Sequence, residues 1–264
     1  MLENTRLTER VLAEEKLKRD VALAAEVQKG LLPERPPTGR GVDLAALSVP
    51  ARSVGGDYFD FIEIDEHRLG IAVADVSGKG VAAALIMSVV NASLRVITAD
   101  PEISPSDLAA RMNGFVHRST QANKYATFFY ARFDARTRTL QYVNAGHNPP
   151  YVVRAGSGDM APTIEELAAG GTVIGLFPEM FYRSDSIELR PGDVLALFTD
   201  GVTEAMSVAE EEFGEARLQI LLTEVAALPV EEISSRVSAA LTAWTAGAPQ
   251  YDDLTLVIMK VREP

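Results

Sequence analysis

The chain of 264 residues carries 37 acidic against 25 basic side chains, a formal net charge of −12, with 47% hydrophobic and 23% charged residues. That balance is that of a globular protein with ample core, and it argues against a nucleic-acid partner, which calls for a basic face. The absence of cysteine excludes disulfides, thiolate catalysis and Cys-based zinc sites, and points to a reducing cytoplasm.

The opening Met1-Leu-Glu-Asn-Thr-Arg6 has no apolar h-region, so no secretory leader is expected. No stretch approaches the roughly 20 apolar residues of a membrane span. Residues from about Thr5 to Leu32 are rich in Glu, Lys, Leu and Ala. They read as one long helix, stopped by Gly30 and Pro33. Leu17, Val21, Ala24 and Leu31 share a face, but Glu14 and Gln28 break the heptad. Two readings stay open: a helix packed on its own domain, or one arm of a homodimer. Residues 1–32 are thus a regulatory or linker helix, and 33–264 the domain proper.

Strands are expected at Val42–Val49, Tyr58–Ile64 and Leu69–Val76, followed by helices at Val81–Ile97 and Ser106–Gln121. A hairpin is expected from Ala126–Phe133 and Leu140–Ala145, with a further strand at Tyr151–Arg154. Residues 156–182 are broken by Gly and Pro and read as a mobile surface segment. Strands at Ser184–Leu189 and Val194–Phe198 precede helices at Glu215–Ala226 and Val230–Trp244, and Leu254–Val261 is the last strand. Strands and helices come in runs rather than in alternation, which favours antiparallel sheets flanked by helices, an α+β layered fold.

Four acidic sites share one design. Asp57 follows Gly55-Gly56, where the backbone can approach a ligand closely. Asp75 ends an apolar strand before Ser77-Gly78-Lys79-Gly80. Asp200 ends Leu195-Ala-Leu-Phe-Thr199, and Asp252-Asp253 opens the final strand. Each alone reads as a turn residue. Together, with no Cys and no adjacent His, they suit hard divalent cations such as Mg²⁺ or Mn²⁺. Two such ions could generate hydroxide and hold a phosphate for in-line attack.

Five ordered motifs carry a family resemblance: Val54-Gly-Gly-Asp-Tyr-Phe-Asp60, Ala74-Asp-Val-Ser-Gly-Lys-Gly80, Asn144-Ala-Gly-His-Asn-Pro-Pro150, Phe198-Thr-Asp-Gly-Val-Thr-Glu-Ala205 and Asp252-Asp-Leu-Thr-Leu256. The chain resembles the bacterial SpoIIE/RsbU-type phosphatases of the metal-dependent (PPM, type-2C) Ser/Thr phosphatase superfamily, over about Ala24 to Val261. The helix ending Glu26-Val-Gln-Lys-Gly-Leu-Leu-Pro33 is similar to the segment that joins such domains to upstream sensory modules. The resemblance implies a four-layer αββα sandwich with two divalent cations, Mn²⁺ or Mg²⁺, between the sheets. By motif position Asp75 would bridge both ions; Asp200 and Asp252 would complete one site, and Asp57 with the Val76 carbonyl the other. Asp253 falls beside the ligand set. Metal-bound water would attack a phosphoserine or phosphothreonine, typically on an anti-anti-sigma (STAS-domain) protein in a partner-switching pathway. Ser77 stands where the wider superfamily has a His that is a candidate general acid, and His147 where it has an Asp linked to a third metal. The general acid and any third ion are thereby left open.

Other residues invite ordinary readings. His67 and His117 read as surface or helix-face residues, and Arg52 as a surface Arg before a phosphate contact. Lys79 has the same two readings. Tyr58, Phe59, Phe61 and Trp244 read as packing, and His147 as a loop residue bonded to backbone. Gly55-Gly56-Asp57-Tyr58-Phe59 superficially resembles the diguanylate-cyclase GGDEF signature but lacks its second acidic residue. A catalytically silent binding module of the same fold is the alternative function, although it would have no chemical need for all four carboxylates.

Overall fold

Two facing sheets organise the chain, and their strands follow the apolar runs of the sequence closely. The computed structural model describes residues 2–121, 123–156 and 161–263, residues 2–9 by backbone alone. Helix α1 (Leu2–Lys29) leads to β1 (Val42–Val49), β2 (Tyr58–Glu63) and β3 (Arg68–Val76). Helices α2 (Val81–Ile97) and α3 (Pro105–Ser119) follow, then β4 (Ala126–Asp134), β5 (Thr139–Ala145), β6 (Tyr151–Arg154), β7 (Thr163–Glu166) and β8 (Gly170–Gly171). After β9 (Asp185–Glu188) and β10 (Val194–Phe198) come α4 (Asp200–Thr203), α5 (Glu215–Val225), α6 (Val230–Thr245) and β11 (Leu254–Val261).

One sheet has the order β1-β11-β10-β6-β7; the other runs β2-β3-β4-β5-β8, with β9 also on β5. Among the described strands all pairings are antiparallel except the two-residue contact of β5 with β8. Strand β3 is buried on both faces, which is why it reads as a continuous apolar run. Its Ile71 and Val73 meet Phe129, Leu197 and Val257 between the sheets. Its Ala72, Ala74 and Val76 point the other way, against Met87, Val90 and Leu94 of α2 and Leu108 and Met112 of α3. On the far side, Leu218, Leu222, Ile233 and Val237 of α5 and α6 cover Ala196, Phe198, Leu256 and Ile258. Each fully buried large side chain contributes about 1.5–3 kcal/mol. These three apolar layers make the expected αββα sandwich.

The segment 156–182 departs from expectation. Residues 157–160 lie outside the described residues, but Thr163–Glu166 adds an edge strand to β6 and Gly170–Gly171 pairs with β5. Only Ile164 in the first is apolar, and the second lacks side chains, so neither carries a periodic signal. The helix α3 is capped as its sequence suggests: Ser104 Oγ accepts from the Asp107 amide at 3.1 Å, with Pro105 at the first helical position.

The end of α1 is fastened to the sandwich. Gln28 makes a double bond pair with Gly55: its Nε2 donates to the Gly55 carbonyl at 2.7 Å, and its Oε1 accepts from the Gly55 amide at 3.0 Å. Asn91 of α2 donates to the Leu31 carbonyl at 3.2 Å. Farther along α1, Leu12, Leu17, Leu23 and Val27 are exposed. No helix among the described residues is long and apolar enough to cross a membrane.

Candidate metal centre

The sheet topology brings the acidic residues to one end of the sandwich. Asp75 lies at the end of β3 opposite Thr127 of β4. Phe198, two residues before Asp200, pairs with Leu256 of β11, and Leu254 pairs with Val49 at the end of β1. Asp252 therefore enters beside Asp200, and the Gly55-Gly56-Asp57 turn leads into β2 next to β3.

Two close backbone approaches fix these arms. A Cβ on Gly201 would run into the Asp253 carbonyl, so the Asp200 turn sits directly on the strand that carries Asp252. A Cβ on Gly56 would lie 3.0 Å from the Val76 carbonyl. The Asp253 carboxylate holds the same turn from the other side, accepting from the Ala51 amide at 2.7 Å and the Gly56 amide at 2.6 Å. Asp253 is thus an anchor of the Asp57 turn.

Burial and mutual repulsion act on these carboxyls together. Asp75 is pushed up to about 7, first by burial and then by the charges of Asp200, Asp252 and Asp253. Asp57 is buried and raised well above the usual carboxylate range, by desolvation and then by Asp75, although Thr199 Oγ1 donates to its Oδ2 at 2.7 Å. Asp200 is raised by burial and then by Asp252. Sequence reasoning did not single out Glu204, whose amide bonds the Asp200 carbonyl at 2.7 Å. Burial, followed by Asp200, raises its carboxyl as well.

Asp57, Asp75, Asp200 and Asp252 thus form one electrostatically coupled group, and the Val76 carbonyl adjoins it. Among the described residues, no three carboxylates or imidazoles close on a single point as a ready-made ion cage. Asp252 is instead turned to Lys79, whose Nζ lies 2.8 Å from its carboxylate and 2.6 Å from the Tyr251 carbonyl. The donor chemistry still fits hard divalent cations: the group offers only oxygen, and it concentrates negative charge that a cation relieves.

The remaining candidates divide cleanly. Arg52 is exposed. His67 pairs with Glu66 at 3.1 Å, and His117 Nδ1 lies 2.9 Å from the Gly175 carbonyl, tying α3 to the loop after β8. Tyr58, Phe59 and Phe61 are buried in the core. Trp244 packs edge-on to Phe213 with the Arg217 guanidinium 4.1 Å from its ring centre. His147 is buried, with its ring on Thr127 of β4.

The model of the SpoIIE family, "Stage II sporulation protein E", matches residues 65–262. Phosphoserine phosphatase RsbU of Bacillus subtilis is 31% identical over 94% of this chain and 71% of its own length. The SiaA-PP2C domain of Pseudomonas aeruginosa superposes with a TM-score of 0.80 at 24% identity, over 94% of this chain and 98% of that domain. The catalytic domain of the serine threonine protein phosphatase PstP, in complex with 2 manganese ions, has a TM-score of 0.60 at 17% identity, over 84% and 99% of the two chains.

Proposed function

Because the chain belongs to the SpoIIE family, we propose that it is a metal-dependent protein phosphatase that hydrolyses phosphoserine or phosphothreonine. The substrate we propose is a phosphorylated STAS-domain anti-anti-sigma protein in a partner-switching pathway. The observation that carries this reading is the convergence of Asp57, Asp75, Asp200 and Asp252 from both sheets on one end of the sandwich.

Two divalent cations, Mn²⁺ or Mg²⁺, would be held by Asp57, Asp75, Asp200, Asp252 and the Val76 carbonyl. Bound there, they supply Lewis-acid activation of the attacking water and charge neutralisation at the phosphoryl group. The chain's own residues do the positioning. Thr199 orients the Asp57 carboxylate, and Asp253 fixes the turn that carries it. Gly56 and Gly201 let their turns close on the Val76 and Asp253 carbonyls, where a Cβ would crowd the backbone. Lys79, half-exposed on the rim, holds Asp252 through an ion pair and is a cation within reach of an incoming phosphate. A protein substrate suits the open rim, since the carboxylates sit at strand ends and not in a closed cavity.

The test is Mn²⁺-dependent phosphate release from a phosphoserine STAS protein, with wild type compared to Asp200→Asn. Turnover that needs metal and is lost by at least 100-fold in the variant is expected. Tight metal binding without turnover would indicate a state that awaits an activator. Absence of both metal binding and turnover would overturn the reading in favour of a silent binding module.

A further inference from the structure

Why a histidine is buried in the loop after β5 is not answered by packing. His147 is 4% exposed, and its Nε2 is buried without a hydrogen-bond partner among the described residues. An apolar side chain would fill the same space without the desolvation cost of an imidazole.

The local chain is built to hold this ring still. Gly146 takes φ +69°, and a Cβ there would strike Val173. Asn144 closes the loop on itself: its Oδ1 accepts from the His147 amide at 2.8 Å, and its Nδ2 donates to the His147 carbonyl at 3.0 Å and the Leu167 carbonyl at 3.2 Å. The ring then reaches the start of β4. Nδ1 lies 2.8 Å from Thr127 Oγ1, and the same Oγ1 accepts from the Asp75 amide at 3.3 Å.

Either ring tautomer keeps the link from His147 to Asp75: the Thr127 hydroxyl donates to Nδ1 while accepting from the Asp75 amide, or Nδ1–H donates to Thr127 and the hydroxyl turns to the Asp75 carbonyl, 3.5 Å away. Burial keeps the ring neutral.

We propose that His147 is a positioning residue, a strut that braces the Asp75 strand end, through Thr127, against the loop closed by Asn144, and so fixes the place of the Asp75 carboxylate. It acts through Thr127. The inference rests on the metal-phosphatase reading. Partners one shell out from a metal ligand typically change affinity by about 10–100-fold when removed.

The test uses the full chain with His147→Leu, His147→Asn, Thr127→Val and Thr127→Ser. Mn²⁺ binding is read by calorimetry and kcat and KM with a phosphoserine peptide. Thermal unfolding in chelator verifies folding. His147→Leu and Thr127→Val are expected to weaken Mn²⁺ binding by about tenfold or more and to lower kcat, with KM within about twofold. His147→Asn, whose Oδ1 can replace Nδ1 as acceptor, and Thr127→Ser are expected to recover most of the affinity. The ¹⁵N spectrum of the wild-type imidazole is expected to show a neutral ring.

Folded His147→Leu and Thr127→Val proteins that keep wild-type Mn²⁺ affinity and kcat would overturn the strut. Should His147→Leu fail to fold, the Thr127 pair decides by the same criteria. A wild type that binds no Mn²⁺ and releases no phosphate would instead remove the phosphatase reading itself, which keeps the two failures distinct.

Discussion

Asp253 shows how a residue next to a functional one earns its place by different chemistry. Its carboxylate satisfies two backbone amides, Ala51 and Gly56, in a buried setting. Removing it leaves both donors unmet, at about 1–3 kcal/mol each, partly offset by the loss of one negative charge beside Asp57 and Asp75. Asp253→Ala is therefore expected to lower unfolding stability by about 2 kcal/mol in a denaturant titration, with a smaller loss in Asp253→Asn. His147 makes a pH prediction of definite sign. Its folded pKa, about 4, lies below the ordinary 6.5, through burial, with the Phe198 carbonyl as the only opposing influence. Between those values the unfolded chain binds a proton that the native protein does not, so this group's contribution is full above pH 6.5 and falls as pH drops toward 4. The loss is up to about 3 kcal/mol. A thermal series from pH 7 to 4.5 should show a shallower acid decline for His147→Asn than for wild type.

Elements were legible where burial writes a period. Strands β1, β6, β10 and β11 and helix α2 fall on the expected residues because their apolar patterns are set by the layers they face. The edge strand Thr163–Glu166 and the Gly170–Gly171 pairing were not legible, since both are specified by neighbouring backbones. The same contrast holds at the site. The four carboxylates stood out through their Gly and strand-end contexts, whereas Thr199, Thr127 and Gln28 act through partners 142, 52 and 27 residues away, which no local pattern records. Helix α1 joins the two levels, because Gln28 holds the Gly55 turn that leads to Asp57. Gln28→Ala is expected to speed hydrogen exchange at the Gly55 amide by at least tenfold without global unfolding. Deleting residues 1–24 removes the exposed Leu12, Leu17 and Leu23 and is expected to change oligomeric state or activity. Unchanged values in both, by light scattering and phosphate release, would reject a regulatory role for the helix.

At the scale of the whole molecule, an anionic chain gathers several of its carboxylates at one end of a sandwich. Cations that bind there stabilise the fold by mass action, about 2.7 kcal/mol at 100 times Kd. Mn²⁺ is expected to raise the melting temperature of wild type, and chelator to reverse it, with most of the shift absent from Asp200→Asn. The order of the strands carries a further consequence. The last strand in sequence, β11, is an interior strand, flanked by β1 and β10. During synthesis on the ribosome, that sheet therefore keeps a gap between β1 and β10 until β11 is made. The gap is filled by the same segment that delivers Asp252 and the Asp253 anchor. A nascent or truncated chain without it exposes two open strand edges and has an incomplete carboxylate group, so completion of the fold and acquisition of the site coincide.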